Sequence, residues 1–191
     1  SNVSSYNEAE AKQILESAGY VDTDGDGYVE KDGQNISLTI AYYKRLSQEA
    51  IATELQSALK KIGIQSELQL HEGTKYLSNK EYDLGFYSMV TMPTGDPAYY
   101  LNALLSEGGT VNFSGYDNHA IQVLLKQLND SYDTKQRKEI VKQIEEMLLA
   151  SYSITYIGFN NLIFATRKEL KNFVPHVTDY YQINVDLELQ S

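Results

Sequence analysis

The chain has 191 residues, 42% of them hydrophobic, enough for one large domain or two small ones around a real core. With 26 acidic against 16 scattered basic residues the formal charge is −10, so the clustered Lys and Arg that hold nucleic-acid phosphates or anionic membrane surfaces are missing. The absence of cysteine excludes disulfides, thiolate metal sites and cysteine nucleophiles, and no run approaches the ~18 consecutive apolar residues of a membrane span.

Ser1-Asn2, with neither an initiator Met nor a signal sequence, reads as a cloning remnant ahead of an excised fragment. Asn7 with Glu10 is a capping-box pattern, and Ala11, Ile14, Leu15 and Ala18 recur at helical spacing until Gly19, predicting a helix near 7–18. The run Val21 to Gly33 then places Asp22, Asp24 and Asp26 at alternate positions before Gly27, the first half of a calcium loop. Counted from Asp22, the carbonyl position falls on Tyr28 and the next ligand position on Glu30. The twelfth place holds Gly33 instead of a bidentate Glu, and Asp32 lies one place early. Two readings stay open: a weak calcium site on Asp22, Asp24, Asp26 and the Tyr28 carbonyl, and a solvated Asx-type turn, which the broken spacing favours. Neither is catalytic.

Ile36, Leu38, Ile40 and Tyr42 alternate as a strand. Ser47 opens a helix with the stripe Ala50, Ile51, Leu55, Ala58, Leu59 and Ile62, closed by Gly63, and Ile64, Ser66, Leu68 and Leu70 alternate again. Residues 36–70 therefore predict a βαβ unit with parallel strands and a right-handed crossover. Asp83 to Val90 reads as a short buried strand that empties into the irregular loop 91–97. Ala98 to Leu105 predicts a helical turn or two. Helices follow near 119–130, with Ile121, Leu124, Leu125 and Leu128 inward, and near 134–150, with Ile140, Val141, Ile144, Met147 and Leu148 inward, as an antiparallel hairpin. Ile154–Phe159, Leu162–Ala165 and the alternating Ile183, Val185, Leu187 and Leu189 read as strands.

Enzyme signatures are missing. His71, His119 and His176 lie far apart with no second ligand at metal spacing, and each reads as structural. There is no phosphate-binding Gly-rich loop with Lys and no nucleophile elbow. Glu145-Glu146 sits on a helix beside lysines, a solvated face.

The order of motifs resembles the carboxyl-terminal lobe of the family 5 solute-binding proteins of ABC importers, which capture peptides, nickel complexes and related solutes. Tyr6 to Gly33 is similar to the family's short helix running into an Asp-Gly-Asp-Gly turn, and Leu55 to Ile64 to its crossover helix. Tyr82-Asp83-Leu84, Gly95-Asp96-Pro97, Asn112 with Gly115-Tyr116-Asp117-Asn118, Asp133 to Arg137 with Ile140 to Leu148, and Arg167-Lys168 with Val174 resemble its later segments. The resemblance implies an α/β, periplasmic-binding-protein-like lobe with a mixed sheet flanked by helices, residues 1–191 forming one lobe. It also implies a missing amino-terminal lobe, a membrane permease as partner, no catalytic residues, and a place on the outer face of the membrane through a lipid anchor or in the periplasm.

Peptide-binding relatives carry an acidic residue three places before the Asp-Pro loop to grip the peptide's amino terminus. Pro93 stands there, which implies a metal chelate of the nickel type over a peptide. The expected ligand face is the strand-end loop and its neighbours: Tyr87, Ser88, Met92, Thr94, Asp96, Tyr99, Asn112 and Tyr116, since irregular backbone beyond a strand's carboxyl end is where open α/β sheets hold ligands. The competing functions are a calcium-dependent adhesive or scaffolding domain organised by the Asp22 loop and, weakest, a hydrolase, which has no nucleophile and base to stand on.

Overall fold

Helix α1, Glu8–Ser17, starts where Asn7 accepts the Glu10 amide at 3.1 Å and returns a bond from its own amide to the Glu10 carboxylate at 3.0 Å. The coordinates are a computed structural model that describes residues 5–45, 47–161, 163–176 and 182–189. The helix falls as expected, but its apolar stripe is not buried. None of its residues is in the core and Ile14 is exposed, while Leu15 borders a groove shared with Val29 and Ile62.

The chain packs as two compact units, one ending at Ser88 and the other starting at Met89. In the first, the hairpin β1 (Glu30–Lys31) and β2 (Gln34–Asn35) leads into β3 (Ser37–Tyr43), α2 (Gln48–Lys61), β4 (Gln65–His71), α3 (Lys75–Asn79) and β5 (Leu84–Gly85). The predicted βαβ unit is present: β3 pairs in parallel with β4 from Ser37↔Gln65 to Tyr43↔His71, and with β5 on its other side, giving the order β4-β3-β5. Antiparallel pairing occurs in β1-β2 and, in the second unit, between β6 (Leu170–Lys171) and β7 (Glu188–Leu189).

Because β3 is the central strand, burial reaches both its faces: Ile40 and Tyr42 as expected, and also Ala41 and Tyr43. Ile51, Leu55 and Leu59 of α2 pack on this sheet, with Ala52 at the centre of the contact where Ala50 was expected. Asp83 pins β5 to β3 twice, its carboxylate accepting from the Thr39 amide at 2.7 Å and its own amide donating to Thr39 O at 3.1 Å. The buried strand expected over 83–90 is shorter than the sequence suggested. Its ladder pairs only Leu84 and Gly85, Phe86 adds one backbone bond to Ala41, and Ser88 is held by the Gln48 side chain at 3.2 Å. Helix α3 carries no clear sequence signal. Its Tyr76 is buried, donates to Phe86 O at 2.7 Å and stacks on His71 at 4.3 Å.

The second unit is built on α4 (Ala98–Leu105), α5 (His119–Asp130) and α6 (Thr134–Ser151). Asn118 and Asp133 cap the last two through their side chains. Tyr100, Leu101, Leu105, Ile121, Leu125, Leu128, Ile140, Ile144 and Leu148 form one core, with Leu124, Val141 and Met147 against it, so the α5–α6 hairpin shares its interior as its two stripes require.

The strands expected at 154–159 and 163–165 do not form, and Ile157, Phe159 and Ile163 are exposed. Leu162 lies outside the described residues. Of the terminal alternation only Glu188–Leu189 pairs, while Ile183 and Val185 stand in solvent. Period-2 patterning marks one apolar face, but a strand also needs a partner edge, and among the described residues 154–161 have none.

Candidate ligand-binding residues

The eight expected residues divide between the units. Tyr87 and Ser88 close the first, Tyr87 partly exposed and Ser88 bonded to Gln48, whose own oxygen accepts the Tyr43 amide at 3.2 Å. The other six belong to the second.

There the loop 91–97 turns at Gly95, which takes φ +79° and donates to Met92 O at 3.1 Å. Met92 is 51% exposed, Thr94 is exposed, and Tyr99 stands 63% exposed on the first turn of α4. Asp96 is committed elsewhere. Its carboxylate accepts from Arg137 Nε at 3.0 Å and from Nη2 at 2.7 Å on each oxygen, and Oδ1 also takes the Ala98 amide at 2.8 Å at the start of α4. The Arg137 guanidinium holds the Asp96 carboxyl below the usual carboxylate range, the Ala98 amide helping and partial desolvation opposing.

Asn112 is a brace. Its amide donates to Tyr116 O at 2.9 Å and its oxygen accepts the Tyr116 amide at 2.9 Å, which folds the turn ahead of α5. Tyr116 is half-buried against the helical core and its hydroxyl accepts from Asn118. Of the six, Met92, Thr94 and Tyr99 therefore present free side-chain surface, while Asp96, Asn112 and Tyr116 shape the scaffold.

Arg137 is the residue that sequence reasoning missed. Besides gripping Asp96, its Nη1 donates to Leu128 O and, at 2.7 Å, to Ser131 O, tying the carbonyl end of α5 to the loop. Tyr100 is buried with its hydroxyl against that of Tyr156, and burial, then that contact, push its ionisation far above the ordinary tyrosine range.

On the first unit, one carboxylate oxygen from each of Asp22, Asp24, Asp26 and Glu30 lies within 4.8 Å of the others. Glu30 joins the three expected acids, and Asp32, at φ +55° and exposed, stays outside the group. The three histidines share no metal cluster among the described residues.

A parallel βαβ sheet flanked by helices, followed by a helical unit that carries an irregular loop, is an α/β chain of the periplasmic-binding-protein kind. A profile of the family "Bacterial extracellular solute-binding proteins, family 5 Middle" matches residues 1–112, and the chain belongs to that family. It is 31% identical over 150 residues to the nickel-binding protein NikA of Staphylococcus aureus, covering 78% of this chain and 30% of the relative. Against the oligopeptide-binding protein AppA of Bacillus subtilis it is 30% identical over 188 residues, 93% of this chain and 34% of the relative. The structure of Staphylococcus aureus NikA in complex with Ni(L-His)2 superposes with a TM-score of 0.81 at 26% identity, covering 96% of this chain and 38% of that one. The chain thus spans about a third of the length of the relatives it matches.

Proposed function

We propose that residues 1–191 form the carboxyl-terminal lobe of a two-lobed solute-binding protein that captures a nickel chelate and delivers it to an ABC permease. The parent stands on the outer face of the membrane through a lipid anchor, or in the periplasm. Closure on the missing lobe traps the solute through contacts made only in the closed state, so binding, not turnover, is its activity. Among the described residues, no helix is long and apolar enough to cross a membrane.

The observation that carries the choice of solute is the commitment of Asp96. It is the one carboxylate in the loop 91–97, and Arg137 neutralises it through three hydrogen bonds. A peptide's ammonium needs an uncompensated anion. This loop offers a thioether, hydroxyls and backbone instead, and Met92 is a soft contact suited to a chelate that brings its own ligands. The second reading, a peptide, is favoured by the similarity to AppA over nearly the whole chain.

Calorimetric titration of the two-lobed parent with nickel plus histidine, against a mixed dipeptide pool, decides between them. Nickel–histidine binds and the dipeptides do not, and Met92→Ala with Tyr99→Ala together weaken binding about tenfold, roughly 1.4 kcal/mol. Heat from the dipeptides alone would favour the second reading. Affinity unchanged within about twofold in the variant would remove these residues from the site.

A further inference from the structure

The turn after α1 holds charge that the solute reading does not use. Asp22, Asp24 and Asp26 are exposed, and alone they are an ordinary solvated turn. Glu30 is different. It is 5% exposed, and its backbone is fixed by paired bonds with Val21 at 3.0 and 2.9 Å. Its Oε2 accepts from the Thr23 amide and hydroxyl, both at 2.6 Å, while its Oε1 is buried with no hydrogen-bond partner. A carboxylate oxygen stripped of water without a donor in return is costly, and the Glu30 carboxylate is also grouped with three others of like charge. Among the described residues, no Lys or Arg forms an ion pair with any of the four acids.

We propose that residues 22–30 form a calcium site, with Asp22, Asp24, Asp26 and Glu30 as carboxylate ligands and the Tyr28 carbonyl as a fifth. The set is all oxygen and carries four negative charges, the chemistry of a hard cation. Oxygen separations of no more than 4.8 Å, twice a calcium–oxygen distance of ~2.4 Å, are compatible with one shared calcium ion, and calcium's irregular coordination suits a loop of this kind better than the near-ideal octahedron at ~2.1 Å that magnesium demands. Loop bonds aim the acids: Asp22 accepts the amides of Gly25 at 2.7 Å and Gly27 at 2.9 Å, and both glycines take the positive φ that the tight turn requires.

The calcium is structural. It clamps the end of α1 to β1, and the Val29 amide, bonded to Gly63 O at 2.8 Å, carries that clamp to the crossover between α2 and β4. Glu30 takes the place of the twelfth-position Glu that the sequence lacks.

The test uses the 191-residue chain stripped with chelator, read by thermal melting and by terbium luminescence excited through tyrosine. Calcium at about a hundredfold excess over its dissociation constant raises the melting temperature by roughly 5–10 °C, and it displaces terbium. Magnesium at the same concentration gives less than half that shift. Glu30→Gln, whose amide oxygen still accepts from Thr23, melts no lower than the stripped parent and loses the calcium shift. Asp24→Asn, at an exposed position, moves the calcium midpoint at least tenfold and serves if Glu30→Gln fails to fold. A melting temperature and terbium emission both indifferent to calcium would overturn the site, as would equal shifts with magnesium and in Glu30→Gln. Neither outcome bears on solute binding, which rests on other residues.

Discussion

Replacing Arg137 by alanine separates two roles that one guanidinium performs in the second unit. Toward Asp96 it forms a bidentate ion pair, but the Asp96 side chain is 43% exposed and regains water once the partner is gone. Such a pair is worth about 0.5–1 kcal/mol. Toward Leu128 O and Ser131 O it supplies donors to carbonyls that α5 cannot satisfy, on residues that are 0% and 8% exposed. Each orphaned, buried acceptor costs about 1–3 kcal/mol, so the carbonyls dominate and Arg137→Ala should destabilise by roughly 3–5 kcal/mol. Asp96→Asn keeps an oxygen for the Ala98 amide and should cost about 1 kcal/mol, with a coupling between the two positions of no more than ~1 kcal/mol. Urea unfolding of both single variants and the double variant measures this. If Asp96→Asn proved as costly as Arg137→Ala, the ion pair and not the carbonyl capping would be holding the loop, and the ordering of magnitudes would be wrong.

Three further outcomes follow from the packing and charge. Leu125→Ala and Ile144→Ala remove buried side chains from the helical core and should each cost about 2–5 kcal/mol in urea unfolding, whereas under half a kcal/mol would place them on the surface. The lowered Asp96 ionisation belongs to the folded state, so its stabilisation is complete above the unfolded carboxyl value of ~3.9 and fades as pH falls through the lower folded value. Melting temperature should therefore drop more steeply below about pH 4 in the parent than in Asp96→Asn, and equal slopes would assign the acid sensitivity elsewhere. Gly63 sits at φ +80° with the position of an added Cβ 2.9 Å from Val29 Cγ1, so Gly63→Ala should lower the melting temperature while Gly73→Ala, with open space around it, does not.

What the sequence made legible was local. The α5–α6 pair was readable because capping residues and apolar stripes are both encoded within a few turns, and each stripe needed only the other to be buried. The parallel β3–β4 pair was readable because a helix of fixed length between two alternating runs leaves one economical way to pack. The Arg137–Asp96 clamp joins positions 41 apart, and nothing near either residue marks the pairing, so Asp96 read as a ligand contact when its charge is already spent. Glu30 was visible as a ligand position, but its burial comes from the β-bridge to Val21, a contact the loop spacing cannot express.

Most of the exposed tail failed for the opposite reason: its signal is real, but its meaning is conditional. Ile183, Val185 and Leu189 alternate as a strand must, yet 89%, 98% and 78% of their surfaces remain in water. Alternation states that one face is apolar, and it carries no information about which edge completes the ladder. The same rule succeeded for Ile36 to Tyr42, where the next helix and strand of the chain supply both the cover and the edge within 35 residues, from 36 to 70. A period-2 run is thus a reliable strand signal only when the chain itself brings the partner, which is why β3 was right and the tail was right only at Glu188–Leu189, where Leu170–Lys171 supplies an edge.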